Sequence, residues 1–405
     1  MTKRISAREL PTIIPCTDDY ARLVAQNWDT VQEAFRHTPT PHFCDRLDQW
    51  QRAAADIGDS LEGRHLVDLN GRPFLMCATG ARGGFKYRLE SDDILIFIGS
   101  PKREWTISVR YLSAGLWEHG LGPLRQRALD ALKDLAFVPK SPLYADDDFI
   151  RVSRADWAFD FYSPQFTHEY RNEIAANVIA RSAVKSSEHF DLDQGVQIWR
   201  TATQGQGLTI GSKTGLQLQL YNKTKEIDDK SGKTWMYLIW VEGLDGEWPW
   251  GARPKDVWRL EVRLSGNFLK DRDIRRPAQL DAHLPELITE ALCNRRLTVP
   301  NPHDEDRSRW PLHPLWERAL REFSRDKIRP IGRTVTGRRD ALVDNAVGQL
   351  AGQLRNATVL NLKDYSPAGR DVLIRQALRR LDEDPDHAKK IIAAQARYST
   401  VDEAR

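Results

Sequence analysis

Hydrophobic and polar positions alternate in two different rhythms along the chain. Between residues 18 and 57 apolar side chains recur at spacings of three and four, as at Val24, Trp28, Val31 and Phe35, which predicts helix. From His65 to Tyr111 the pattern breaks into short runs, HLVDL, PFLMCAT, FKYRL, ILIFIG and WTISVRY, separated by NG, GARGG, SDD and SPKRE. Strand-length runs bounded by turn residues predict an antiparallel meander. PLRQRALDALKDL (123–135) has the spacing of an amphipathic helix, and a second strand-rich region follows from Phe149 to about Leu264. Helix returns at 277–295, VPNPHDEDRSRWPLHP reads as a linker, and 314–325, 338–355 and 368–381 are helical by periodicity. The expected class is α+β, a central antiparallel sheet with helices on one face and charge on the other, followed by a helical C-terminal region. The expected domains are a helical region at 1–60, an α+β domain at 61–300 and a helical domain at 301–405.

Parity sharpens the picture in three of the strands, because successive residues of a strand point to opposite faces. In FIRVSRADWAFDFY, Arg154, Asp156 and Asp160 share one face while Trp157, Phe159 and Phe161 share the other. In GLQLQLYNK, Leu216, Leu218 and Leu220 oppose Gln217, Gln219 and Tyr221. In VWRLEVRL, Trp258, Leu260, Val262 and Leu264 oppose Arg259, Glu261 and Arg263. Joined in one sheet, these strands would collect Asp156, Asp160, Glu261, Arg259, Arg263 and Tyr221 on a common face. Carboxylates bind hard divalent cations, guanidinium groups fork onto phosphate oxygens and a phenol can attack phosphorus, so such a face suits phosphodiester chemistry. The same pattern also describes a solvated sheet face with cross-strand ion pairs.

Composition narrows the setting more than the function. The 405 residues carry 60 Lys+Arg against 57 Asp+Glu, a net charge of +3 that fits a metabolic enzyme, a scaffold or a nucleic-acid enzyme equally well. Four cysteines, Cys16, Cys44, Cys77 and Cys293, lie far apart without a C-x-x-C pair, which argues against a zinc ribbon or a disulfide framework. No run approaches the roughly 20 apolar residues of a membrane span, and MTKRISARELPTIIP lacks an apolar signal core. The expected compartment is the cytoplasm.

Four motifs then occur in order: R-x-D-x-A-x-D (Arg154, Asp156, Ala158, Asp160), T-x-G-S (Thr209, Gly211, Ser212), Y-N-K-x-x-E (Tyr221, Asn222, Lys223, Glu226) and R-x-E-x-R (Arg259, Glu261, Arg263). With WTISVRYLSAGLWEHG before them, they resemble the replication initiation factor family over about residues 65–300. That family comprises the trans-acting initiators of rolling-circle plasmids and related relaxases of integrative elements and phages. The resemblance implies that Tyr221 nicks one strand at a replication origin, forming a 5′-phosphotyrosyl link and leaving a 3′-hydroxyl. It implies a site of Tyr221 with Asn222, Lys223, Arg259 and Arg263, and a Mg²⁺ or Mn²⁺ ion held by Asp156, Asp160 and Glu261. It further implies duplex and single-stranded origin DNA as partner, a host helicase and a homodimer. Conjugative transfer by a relaxase, or origin binding without chemistry, are the competing functions. The spacer between Glu226 and Arg259, with DGEWPWGARP, is long for the family.

A phenol with a pKa near 10 needs help to attack at neutral pH. The expectation is that a carboxylate-held cation polarises the phosphate while Lys223, Arg259 or Arg263 stabilises the charge growing on it. GLTIGSKTG is not a phosphate-binding P-loop, because Ser212 separates Gly211 from Lys213, and a hairpin turn explains it better. The ten histidines include no pair separated by one apolar residue, so any metal should be oxygen-ligated; His119, His168 and His189 read as structural or surface residues. Tyr111, Tyr162, Trp157, Phe159 and Trp258 read as packing residues, while Trp248 and Trp250 could pack or stack on unpaired bases. Two basic regions could meet DNA. Residues 311–380 hold 14 Arg+Lys against 7 Asp+Glu, beside apolar positions such as Leu342, Val347, Leu350 and Leu354, and KDRDIRR (270–276) follows the R-x-E-x-R strand.

Overall fold

The computed structural model describes residues 16–36, 39–57, 63–100, 104–133, 149–170, 172–180, 196–201, 204–244, 255–323, 347, 350–351, 353–358 and 366–388. In chain order the elements begin with β1 (Arg22–Phe35), α1 (Pro41–Ala55), β2 (Arg64–Asp68), β3 (Pro73–Cys77), β4 (Phe85–Glu90), β5 (Ile94–Gly99) and β6 (Ile107–Tyr111). Helices α2 (Ser113–His119) and α3 (Leu121–Leu132) lead to β7 (Ile150–Tyr162), α4 (Pro164–Glu169), β8 (Val178–Ala180), β9 (Val196–Thr201), β10 (Gln204–Gly211) and β11 (Leu216–Asn222). Then come α5 (Lys223–Glu226), α6 (Met236–Gly243), β12 (Val257–Ser265), α7 (Gly266–Lys270), α8 (Pro277–Ala282), α9 (Leu284–Asn294), β13 (Arg295–Leu297), α10 (Pro314–Phe323) and α11 (Pro367–Asp382).

Eleven strands form one antiparallel sheet in the order β2-β3-β4-β5-β6-β1-β7-β12-β11-β10-β9. The α+β class and the 65–111 meander therefore stand. One side of the sheet is the main core, where Phe159, Phe161, Leu218, Leu220, Leu260 and Val262 pack with residues of α3, α8, α9 and α10. Tyr111 is buried there with its hydroxyl donating to Glu33, which is also bound by Arg125 of α3, so this buried carboxylate is fully partnered. Trp258 is buried and donates to Thr167, and Trp157 packs edge-on against Trp28.

The expectation of helix at 18–57 fails over its first half. Arg22–Phe35 is a strand at the centre of the sheet, between β6 and β7. Its pairing with β7 is interrupted between Leu23 and Ala25, between Trp28 and Thr30, and between Gln32 and Glu33. The first two place an extra residue in β1, Val24 and Asp29, and reset its alternation, while the third places the extra residue, Ser153, in β7. Buried positions therefore fall at Val24, Trp28 and Val31, spacings that a helix would also produce.

Residues 7–331 form one compact unit, and residues 1–6 with 332–405 form another. VPNPHDEDRSRWPLHP is tied into the first unit rather than left as a tether. Thr298 bridges Leu312, Val299 donates to Pro311 at 2.9 Å, and Trp310 donates to the Asp304 carbonyl at 2.8 Å. The helix that follows, α10, buries Leu315, Trp316, Ala319 and Leu320 in the same core as the sheet. In the other unit, α11 starts where the Ser366 hydroxyl accepts from Gly369, with Pro367 in the first turn. It leaves Val372, Ile374, Leu378 and Leu381 exposed. The described part of 338–355 is helical at 347, 350–351 and 353–355, and Leu342 lies outside the described residues.

Candidate active site

The register of three strands assembles the site. On β12, Arg259 lies opposite Asp160 of β7 and Tyr221 of β11, Glu261 opposite Ala158 and Gln219, and Arg263 opposite Asp156 and Gln217. Cross-strand partners share a face, so the charged face expected from parity exists. The bulge between Trp28 and Thr30 adds one more carboxylate, Asp29, to it.

This face has a sealed half and an open half. In the sealed half Arg259 Nε and Nη2 donate to the two Asp160 oxygens at 2.6 and 2.8 Å, and Nη1 donates to Asp29 Oδ1 at 2.6 Å. Trp240 Nε1 donates to Asp160 Oδ2 at 2.8 Å. Helix α6 roofs this cluster with Met236 and Trp240, which pack with Val24, Ile227, Leu244 and Val257 in a second small core. Gly243 lets the helix lie on β1, because a Cβ there would fall 1.9 Å from the Val24 carbonyl oxygen. Burial pulls Asp29 toward the neutral form, yet Arg259, with Lys233, Lys223 and Arg263 nearby, holds it below the usual carboxylate range. Arg259 and Asp160 are fully buried and committed to each other. Arg259, expected on a substrate phosphate, and Asp160, expected on a metal, here spend their hydrogen bonds on each other, on Asp29 and on Trp240.

The open half centres on Tyr221, which is half-buried. Its hydroxyl donates to Glu261 Oε2 at 3.3 Å, while Glu261 Oε1 accepts from Arg263 Nε at 2.7 Å. Arg263 also reaches Gln217 Oε1 at 3.4 Å. One step along β7, Arg154 grips Asp156 with Nε at 3.0 and 2.8 Å, and with Nη2. Past Tyr221 the strand turns into α5, where Asn222 caps the helix by accepting from the Lys225 backbone at 2.9 Å. Lys223 pairs with Glu226 and stands 5.7 Å from the Tyr221 ring centre. Tyr221, Asn222, Glu226, Arg263 and Lys230 line a cavity of about 210 Å³. Gly207, opposite Tyr221, is required by close approach, since a Cβ there would lie 2.6 Å from Tyr221 Cβ.

Burial and the Glu261 charge raise the Tyr221 phenol well above its ordinary value, with Arg259 working against them. Burial, with Glu261 adding to it, pushes Asp156 up to about 7 despite the grip of Arg154. Burial and the repulsion of Arg259 lower Lys223, against the pull of Glu226. The Tyr221 phenol is thus held neutral, with its hydroxyl hydrogen-bonded to Glu261.

The expected Mg²⁺ or Mn²⁺ ligand set does not assemble. Asp160 is saturated by Arg259 and Trp240, and Asp156 and Glu261 each hold an arginine. Among the described residues no three His, Cys, Asp or Glu side chains converge as a metal site. Asp29 is the residue that sequence reasoning missed, hidden in a segment with helical spacing. His119 pairs with Glu118, His168 is exposed, and His189, Trp248 and Trp250 lie outside the described residues. Among the described residues no helix is long and apolar enough to cross a membrane, and all four cysteines are free thiols.

No protein-family model matches the chain, and no curated protein matches it. Among solved structures, it is similar to a rolling circle replication initiator protein from Geobacillus stearothermophilus. The two share 13% identity and a TM-score of 0.40, over 76% of this chain and 99% of the other.

Proposed function

We propose that the protein nicks and rejoins one strand of origin DNA, starting rolling-circle replication, with Tyr221 as nucleophile. The observation that carries this reading is the pairing of the Tyr221 hydroxyl with Glu261 at an open cavity whose charged walls are Arg263, Lys230, Glu226 and Asp229. Tyr221 Oη attacks phosphorus as Glu261 accepts the phenolic proton. The Oη–P bond forms, the P–O3′ bond breaks, and the 3′-oxygen leaves as a hydroxyl after gaining a proton. The 3′-oxygen takes that proton from water in the open cavity, since Asp156 is fully buried, is gripped by Arg154 and does not line it. Arg263, a quarter exposed, faces the non-bridging oxygens. The phosphotyrosyl bond retains much of the energy of the broken ester, so the step runs backward and permits rejoining.

The four ordered motifs support the same reading. The test is a denaturing gel of protein incubated with origin-bearing supercoiled DNA. Wild type should give nicked circles and a protein–DNA adduct, and Tyr221→Phe should give neither while still binding DNA. An adduct that survives in Tyr221→Phe would remove Tyr221 from the mechanism.

A further inference from the structure

A second concavity, of about 340 Å³, lies at the opposite end of the charged face. It is lined by Arg151, Lys270 and Arg275, with Ser153, Thr214 and Asn267 among the other wall residues. Its walls are fixed. The Thr214 carbonyl accepts from Ser265 Oγ at 2.9 Å and Asn267 Nδ2 at 3.3 Å, and the Arg275 carbonyl accepts from the Val152 backbone at 2.7 Å. No carboxylate lines it. Arg151 lies against the Trp105 ring at 4.8 Å, and among the described residues neither Arg151 nor Lys270 has an acidic partner. Arg275 has only a loose, exposed pair with Asp273 at 3.8 Å. Three cations around one hollow repel one another unless an anion joins them.

The register shows what kind of anion fits. Ser265, on the wall, lies opposite Arg154, and Arg263 lies opposite Asp156. Arg154 and Arg263 are 39% and 25% exposed. Partly exposed arginines, each paired with a carboxylate, therefore continue from the concavity along the face to Tyr221. Ser265 lies six residue steps along β12 from Arg259, which faces Tyr221, a span of about 20 Å at roughly 3.3 Å per residue. One small anion cannot bridge that distance. A polyanion can, and duplex DNA covers it in about six base-pair steps at roughly 3.4 Å each.

We infer that Arg151, Lys270 and Arg275 form a phosphate-backbone clamp that holds the substrate strand on one side of the cleavage point. This rests on the reading of Tyr221 as a nicking residue only for its distance to the scissile phosphate. The clamp itself is a DNA contact independent of catalysis.

The experiment measures binding by fluorescence anisotropy against salt concentration, using a fluorescein-labelled duplex of arbitrary sequence and, separately, its single strand. Arg151→Ala/Lys270→Ala/Arg275→Ala should weaken binding and lower the slope of log affinity on log salt by about 2 to 3, as each lost phosphate contact removes about 0.7 to 0.9. Lys270→Ala alone, at an exposed position, should lower it by about 1 and guards against misfolding of the triple variant. A control triple, Arg46→Ala/Arg52→Ala/Lys133→Ala on α1 and after α3, should leave the slope unchanged. Wild-type slope in the Lys270→Ala and triple variants overturns the clamp, as does a wild-type protein that binds neither probe. Binding that depends on the clamp in a protein that forms no adduct overturns only the Tyr221 reading.

Discussion

At the scale of single residues, two carboxylates of one parity have opposite fates. Asp160 is neutralised by Arg259 under a helix, whereas Glu261 faces an open cavity with a phenol on it. If Glu261 takes the phenolic proton, Glu261→Gln should slow adduct formation by about 100-fold or more with DNA affinity little changed, measured by single-turnover kinetics. Equal loss of affinity and rate would make Glu261 a structural group instead. Asp156 makes a separate prediction about stability. Its carboxyl titrates at about 7 in the fold and near 3.9 in an unfolded chain, so the folded state binds the extra proton. Its contribution is present below about pH 4 and is lost as pH rises toward 7. The stability of Asp156→Asn relative to wild type should therefore shift in favour of the variant between about pH 5 and pH 8 in urea titrations. A difference independent of pH would mean that Asp156 is ionised throughout. Tyr221, Glu261, Arg263 and Asp156 were legible from strand parity, because parity depends only on alternation. The sealing of Asp160 and Arg259 was not, since nothing in those strands records that Trp240 and Met236 come to lie over them.

At the scale of elements, the meander, the three amphipathic strands and the helices at 123–135 and 277–295 follow from periodicity. The strand at Arg22–Phe35 does not. Two bulges in it, at Val24 and Asp29, scramble its alternation, and the resulting spacing of Val24, Trp28 and Val31 is helical in appearance. The cost of missing it is functional, because Asp29 sits in one of those bulges. The fit between β1 and α6 is tight enough to test. Gly243→Ala places a methyl against the Val24 carbonyl, and should destabilise the fold by about 1–3 kcal/mol in urea titration. No loss would mean that α6 is free to ride up, and that the roof over Arg259 is loose.

At the scale of the whole molecule, a chain ending at 331 should keep a cooperative unfolding transition, while one ending at 305 should lose it. The second lacks α10, whose Leu315, Trp316, Ala319 and Leu320 fill the core beneath the sheet. Calorimetry of the two lengths decides this, and equal transitions would show the core to be complete without α10. The linker reading failed here because proline and aspartate mark a turn-rich path, not a mobile one. The central place of β1 has a consequence of a different kind, for the time course of synthesis. The strand made first must wait for both of its neighbours, β6 at Ile107–Tyr111 and β7 at Ile150–Tyr162. Until then it leaves the ribosome with two unpaired edges and with Trp28 and Phe35 uncovered. The middle of the sheet closes only after the segment through Tyr162 has emerged, and the nascent chain depends on that interval passing without a foreign strand taking either edge.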